Sequence, residues 1–232
     1  MKLLQLIKFW FLTFIVSPFV LFGMGESIFD GKTLNGWKSP DMSYWSVEDG
    51  AITAQSSESH PCKYNQFIVW QGGDVADFVL TFQYKIEGSD KANSGVQFRS
   101  QLEPDGHAVG YQADITRPVS KWLGSIYDEK GRKTLARRGH LGTIDKEGNK
   151  SQILLSDPDR VIKSVKEGWN NYKITAIGHY MKIEINNQVT SEVIDHDVKD
   201  RDMKGILALQ LHSGPAMKVQ FKNLNLTVLK VK

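Results

Sequence analysis

Phe78-Val79-Leu80-Thr81-Phe82-Gln83-Tyr84-Lys85-Ile86 sets Phe78, Leu80, Phe82, Tyr84 and Ile86 on one side of the chain and Val79, Thr81, Gln83 and Lys85 on the other. A period of two over nine residues is the signature of a β-strand with one core face, because successive side chains of a strand point to opposite sides. The same grammar recurs along the chain. Trp45-Ser46-Val47-Glu48 and Ala51-Ile52-Thr53-Ala54 flank Asp49-Gly50, a dipeptide that accepts the positive φ angles of a two-residue hairpin turn. Tyr172 to Ile177 and Tyr180 to Ile185 read as two further strands, with Asn186-Asn187 as the next turn, and Met217 to Val231 closes the chain as another. Helix signals are confined to Ser156-Asp157-Pro158-Asp159 followed by Val161, Ile162 and Val165, a capped start with proline in the first turn and barely two turns of apolar stripe. Many short strands with regular turns imply an all-β fold, a jelly-roll sandwich in which two antiparallel sheets bury their inner faces. Between Thr116 and Gly168 the strand period fades, and these 53 residues read as a long loop excursion that walls one side of a sheet.

Residues 1–25 carry Lys2 and Lys8 ahead of a mostly apolar stretch from Phe9 to Phe22, broken by Thr13, Ser17 and Pro18. That is the pattern of a secretory signal rather than of a membrane span, which needs roughly 20 unbroken apolar residues. The expected organisation is a signal over 1–25 and one folded domain over 26–232, placed in the periplasm or outside the cell with no stable membrane span after cleavage. Of 29 Lys and Arg against 26 Asp and Glu, two cations lie in the signal, so the formal charge falls from +3 to +1. A near-neutral domain with no basic run beyond Arg137-Arg138 excludes a nucleic-acid binder of the usual electrostatic kind. Cys62 is the only cysteine, which precludes an intramolecular disulfide and is expected to serve as a small buried hydrophobe.

Three polar pairs stand at a spacing of two inside apolar runs: Gln97 and Arg99, Gln112 and Asp114, Gln210 and His212. Each pair projects to one side of its strand, and three such strands side by side tile six polar groups into one patch. Solvated strand faces ordinarily carry Lys, Glu and Thr. Amide, guanidinium, carboxylate and imidazole together form a hydrogen-bonding inventory suited to a polyhydroxylated ligand.

Five blocks then carry a resemblance. Ile28-Phe29-Asp30-Gly31-Lys32-Thr33-Leu34-Asn35-Gly36-Trp37, Trp45-Ser46-Val47-Glu48-Asp49-Gly50, Asn93-Ser94-Gly95-Val96-Gln97-Phe98-Arg99, Gly110-Tyr111-Gln112-Ala113-Asp114 and Leu209-Gln210-Leu211-His212-Ser213-Gly214 resemble, in order, the 3-keto-disaccharide hydrolase domain family. The likeness implies a concanavalin A-like jelly roll, exported by glycan-degrading bacteria, acting on sugars whose C3 hydroxyl has been oxidised to a ketone. One departure is Gln83, which stands where many members carry a glutamate, so no carboxylate role transfers to it.

A C3 ketone acidifies the C2 proton, so a base can form an enolate and expel the C1 substituent, after which water adds to the unsaturated keto sugar. The resemblance and this chemistry together imply His212 as base, Arg99 as the cation holding the enolate oxygen, and Asp114 as the group that orients His212, serves as acid or ligates a metal. Substrate contacts are expected from Gln97, Gln112, Tyr111, Tyr127, Trp122, Asn93, Gln210 and Arg138, with the Trp122 ring against a sugar face. No cofactor is required by this chemistry. A divalent ion held by Asp128, Glu129 and His140 with Asp114 or His212 is the one metal arrangement the sequence offers, without a metal-ligand spacing to support it. The alternative to catalysis is a lectin-like module that binds a carbohydrate on the same patch.

Overall fold

Alternation at the opening stretch becomes strand Phe78–Gly88, which buries Phe78, Leu80, Phe82, Tyr84 and Ile86 and turns Thr81, Gln83 and Lys85 outward. The computed structural model describes residues 20–21 and 25–231. The expected export signal lies outside the described residues apart from Gly25 and the Val20–Leu21 pairing with Lys230–Val231.

Two sheets face each other across one apolar core that draws residues from Ile28 to Leu226. The first has seven strands in the order Lys133–Ala136, Ile126–Glu129, Ala108–Thr116, Asn93–Leu102, Ile206–Leu211, Gln66–Trp70 and Trp37–Lys38, every neighbouring pair antiparallel. The second has ten, from edge strand Lys150–Leu154 through His140–Ile144, Gln188–Asp195, Tyr180–Ile185, Asn170–Ile177, Phe78–Gly88, Met217–Val228 and Ala51–Gln55 to Trp45–Glu48, with Glu26–Ser27 pairing to Met217–Val228. Within it, His140–Ile144 runs parallel to Gln188–Asp195. This is the jelly-roll sandwich that the strand grammar predicts.

The two predicted turns take the conformations their residues suit. Asp49 and Gly50 sit at φ 50° and 74°, and Asn186 and Asn187 at 49° and 63°, the paired positive angles that match the twist of a tight hairpin. The helix is Pro158–Ser164, and the Asp157 carboxylate caps it by accepting from the Asp159 amide. Cys62 is buried as expected, with its thiol pushed up chiefly by that burial.

The Thr116–Gly168 segment differs from its reading as a loop excursion. It contributes strands Ile126–Glu129 and Lys133–Ala136 to the seven-stranded sheet and His140–Ile144 and Lys150–Leu154 to the other. The period was hidden for two physical reasons. Ser125 and Asp128 occupy buried positions as polar residues, and Lys150–Leu154 is an edge strand exposed along its whole length, so neither shows an apolar side. The longest run that remains irregular is Arg117 to Ser125, which carries Trp122 over the sheet.

Candidate active site

Cross-strand register on the seven-stranded sheet places Gln97 opposite Gln112, Gly95 opposite Asp114, Gln112 opposite Tyr127 and Ala208 opposite Gln97. Directly paired residues share a face, so Gln97, Gln112, Asp114, Tyr127 and Gln210 all project away from the core side. A cavity of about 360 Å³ lies on that face, lined by Asn65, Asn93, Gln112, Asp114, Trp122, Tyr127, Glu129 and His212. That size suits a small sugar.

Beneath it runs a chain of amides with one polarity. Ser100 Oγ lies 2.8 Å from Gln97 Oε1, Gln97 Nε2 donates to Gln112 Oε1 at 2.7 Å, and Gln112 Nε2 donates to Asp114 Oδ1 at 2.7 Å. Asp114 Oδ1 is thereby held as an acceptor, and a proton on this carboxyl belongs on Oδ2. Burial raises the carboxyl from 3.8 to about 7, with the Glu129 charge adding to the rise and the Gln112 bond opposing it. Asp114 is therefore a group that holds and releases a proton near neutral pH.

Gly95 makes room for this arrangement. A Cβ there would stand 2.7 Å from Gln112 Cγ and 2.8 Å from its Cδ, so the absent side chain is the space in which the Gln112 amide lies.

His212 has its Nδ1 2.6 Å from the Ser213 carbonyl oxygen. A carbonyl can only accept, so Nδ1 carries the proton and Nε2 of the neutral ring is left with its lone pair. Asn65, preceding strand Gln66–Trp70, fixes this segment by accepting the Ser213 amide on Oδ1 at 2.9 Å, which leaves its Nδ2 as a donor. Tyr127 is held as the phenol, its hydroxyl pushed up first by burial and then by the charges of Glu129, Asp114 and Asp128. Both amide atoms of Gln210 and the Asn93 Oδ1 are buried with no protein partner. Unsatisfied polar atoms beside a cavity mark places where a ligand or water completes the hydrogen bonding.

The structure brings together His212, Asp114, Gln112, Tyr127, Trp122 and Asn93 on the cavity wall, with Gln97 and Gln210 beneath. Three expected residues stand elsewhere. Arg99 points into the sandwich, where Nε donates to Ala76 O at 2.7 Å, Nη1 to Gly178 O at 2.6 Å and Nη2 to Asp77 Oδ1 at 2.9 Å. Its backbone is at φ 51°, and the register with the neighbouring strand slips between Phe98 and Gln101. That β-bulge reverses the side to which residue 99 points, so the spacing of two no longer means a shared face. Tyr111 also faces inward, its hydroxyl donating to Asp195 Oδ2 at 2.7 Å and receiving Arg132. Arg138 donates to the Ser120 carbonyl at 2.8 Å and braces the turn before Trp122 instead of lining the cavity.

Of the proposed ion ligands, Glu129 shares the cavity wall with Asp114 and His212, and the other two stand apart. Asp128 is bound to Arg132, His140 Nδ1 lies against the Arg138 carbonyl, and among the described residues no three His, Cys, Asp or Glu groups converge on a metal position. Sequence reasoning missed Asn65 as a site residue. It is a single polar residue ahead of an apolar strand, and only the docking of its loop onto the His212 segment gives it meaning.

A β-sandwich with this polar cavity on one sheet is a carbohydrate-related jelly-roll protein. The chain belongs to the 3-keto-alpha-glucoside-1,2-lyase-like domain family, whose sequence profile matches residues 25–227. The resemblance read from the five sequence blocks and this match agree. Among solved structures, a candidate glycosyl hydrolase from Parabacteroides distasonis ATCC 8503 is 18% identical with a TM-score of 0.58, over 88% of this chain and 98% of that one. A protein of unknown function with a galectin-like fold from Bacillus subtilis gives 10% identity and a TM-score of 0.62, over 91% and 100%. The carbohydrate-binding module CBM66 from Bacillus subtilis gives 15% and 0.54, over 83% and 95%. At these identities the likeness establishes the fold alone. No curated protein matches the chain.

Proposed function

We propose that the protein is an exported enzyme that cleaves 3-keto-glycosides or 3-keto-disaccharides by elimination across C1 and C2, followed by hydration. The observation that carries this reading is an imidazole nitrogen with a free lone pair and a carboxylic acid on the wall of one cavity. His212 offers an unprotonated Nε2, while Asp114 holds a proton on Oδ2 near neutral pH. A carboxyl kept protonated by burial beside an imidazole nitrogen with a free lone pair supplies the acid and the base that such an elimination needs.

In the proposed sequence His212 Nε2 takes the C2 proton, and the C–H electron pair forms the C2–C3 double bond of the enolate. Collapse of the enolate restores the C3 carbonyl, moves the double bond to C1–C2 and breaks the bond from C1 to the leaving oxygen, which receives the Asp114 proton. Water then adds its hydroxyl at C1 and its hydrogen at C2. With Arg99 turned into the sandwich, the enolate oxygen falls to the neutral donors of the wall, the Asn65 Nδ2 and the Tyr127 hydroxyl. The family's description as a 1,2-lyase supports the same bond cleavage.

The second reading, a lectin-like module, is favoured by the likeness to a carbohydrate-binding module and by the unsatisfied amides around the cavity. Incubation of the purified protein with a nitrophenyl 3-keto-glucoside and with its unoxidised counterpart separates the two. Release of nitrophenol from the keto form alone is the expected result. Sugar binding with no release from either compound favours the module.

A further inference from the structure

Gln83, the departure noted in the long strand, lies on the outer face of the ten-stranded sheet, on the opposite side of the sandwich from Asp114 and His212. A second depression of about 330 Å³ surrounds it. Gln83 Nε2 donates to Asn171 Oδ1 at 3.0 Å, and its Oε1 accepts from Asn223 Nδ2 at 3.0 Å. Asn223 reaches it because strand Met217–Val228 breaks register with Phe78–Gly88 between Lys222 and Asn225, with Asn223 at φ 54°. A bulge on an interior strand gives up ladder pairing and re-aims a side chain, and asparagine is one of the few residues that tolerate this backbone.

We infer that this depression is a second carbohydrate site, which takes a neutral polyhydroxylated glycan chain on the face opposite the cavity. The amide ladder fixes the orientation of each group and leaves a second N–H of Gln83, both N–H groups of Asn171 and the Asn223 Oδ1 facing outward. Sugar hydroxyls each donate and accept, so neighbouring ones can meet a fixed row of N–H donors that ends on a carbonyl acceptor. Glu184 engages both Lys173 at 3.0 Å and Lys182 at 3.2 Å, so these lysines already have a counter-charge. Phe82 and Tyr172 beneath the amides are 3% and 1% exposed, so an apolar peptide finds no anchor. The site stands independently of the elimination chemistry.

The test is a nuclear magnetic resonance titration of the side-chain amides of the ¹⁵N-labelled protein with cellotetraose and, separately, maltotetraose, neither of which carries a C3 ketone. The expected result is a saturable shift of the Gln83, Asn171 and Asn223 signals with at least one tetraose. Asn223→Gly keeps a residue suited to φ 54° while removing the amide, and is expected to weaken that binding about tenfold, the worth of roughly one hydrogen bond. His212→Ala leaves it unchanged. Shifts confined to Gln97 and Gln112 on the other face, or none at millimolar sugar with either probe, overturn the second site while leaving the proposed activity to its own assay.

Discussion

Gln97 and Arg99 are two residues apart on one strand, and they serve opposite sides of the same sheet. Gln97 joins a neutral chain of amides that ends on Asp114 beneath the cavity, whereas Arg99 crosses into the sandwich to an aspartate and two backbone carbonyls. The cavity side is tuned by hydrogen-bond polarity and burial, and the interior side by charge neutralisation. One bulged residue at φ 51° separates the two regimes. Polar residues in an apolar strand thus have two uses, and backbone register decides which one a residue has.

The largest effect that would sharpen the contrast is expected on the cavity side. His212→Ala should lower turnover of a 3-keto-glycoside by about 10²–10⁴-fold, the range for a general base, with the unfolding midpoint little changed. Retention of wild-type turnover would remove His212 from the chemistry.

Arg99→Met should do the reverse. The Asp77 carboxylate and two carbonyls lose their partner, at an expected cost of about 3 kcal/mol of stability, the lower end for breaking a buried ion pair, while turnover per folded molecule is retained. Denaturant titration beside an activity assay reads both quantities. A variant that folds as well as the parent but is inactive would return Arg99 to the reaction and break the comparison.

How much of this was legible in the sequence follows from the same contrast. Strands with one clean apolar side, such as Phe78–Gly88, and turns fixed by Asp49-Gly50 or Asn186-Asn187 could be read because local pattern and tertiary environment agree. Five of the six paired polar residues reached the predicted face for the same reason. Arg99 did not, because no residue type marks an arginine bulge. Tyr111 was legible, since it alternates with Gln112 and Asp114 and the strand period puts it with Ala113 and Ile115 on the core side, where its hydroxyl meets Asp195 from 84 residues away. Strands Ile126–Glu129 and Lys150–Leu154 stayed hidden, one with a buried aspartate on its inner side and the other with no inner side at all.

Asp114 offers a pH-resolved version of the comparison. Its carboxyl is raised from 3.8 to about 7 in the folded protein, so the fold binds this proton more tightly than the unfolded chain does. The contribution favours folding in full below about pH 4 and is lost as the pH rises through about 7. Asp114→Asn removes the titration, so the stability of the parent relative to the variant should fall over that interval. Denaturation midpoints of both proteins across the pH series measure it. A difference that grows with pH would mean that the carboxylate is stabilised in place and that Asp114 is no proton donor. In the proposed reaction the parent's turnover should also decline above about pH 7, as the acid becomes ionised.

The smallest expected effect falls on Gly95, which carries no functional group. Its value is space, since an added Cβ meets Gln112 Cγ at 2.7 Å and the Ala113 carbonyl oxygen at 3.1 Å. The first contact is with a side chain that can move, and the second is with backbone that cannot easily do so. Gly95→Ala should therefore cost about 1 kcal/mol in stability, the low end for overpacking, while pushing the Gln112 amide away from Asp114 Oδ1. Losing that donor removes the one bond that lowers the Asp114 carboxyl, so the alkaline limb of the activity profile should move to higher pH. A profile that shifts with little loss of stability would show that the amide chain sets the acid. An unshifted profile would mean that Gln112 only fills space, and the polarity of the cavity floor would then have no bearing on the chemistry above it.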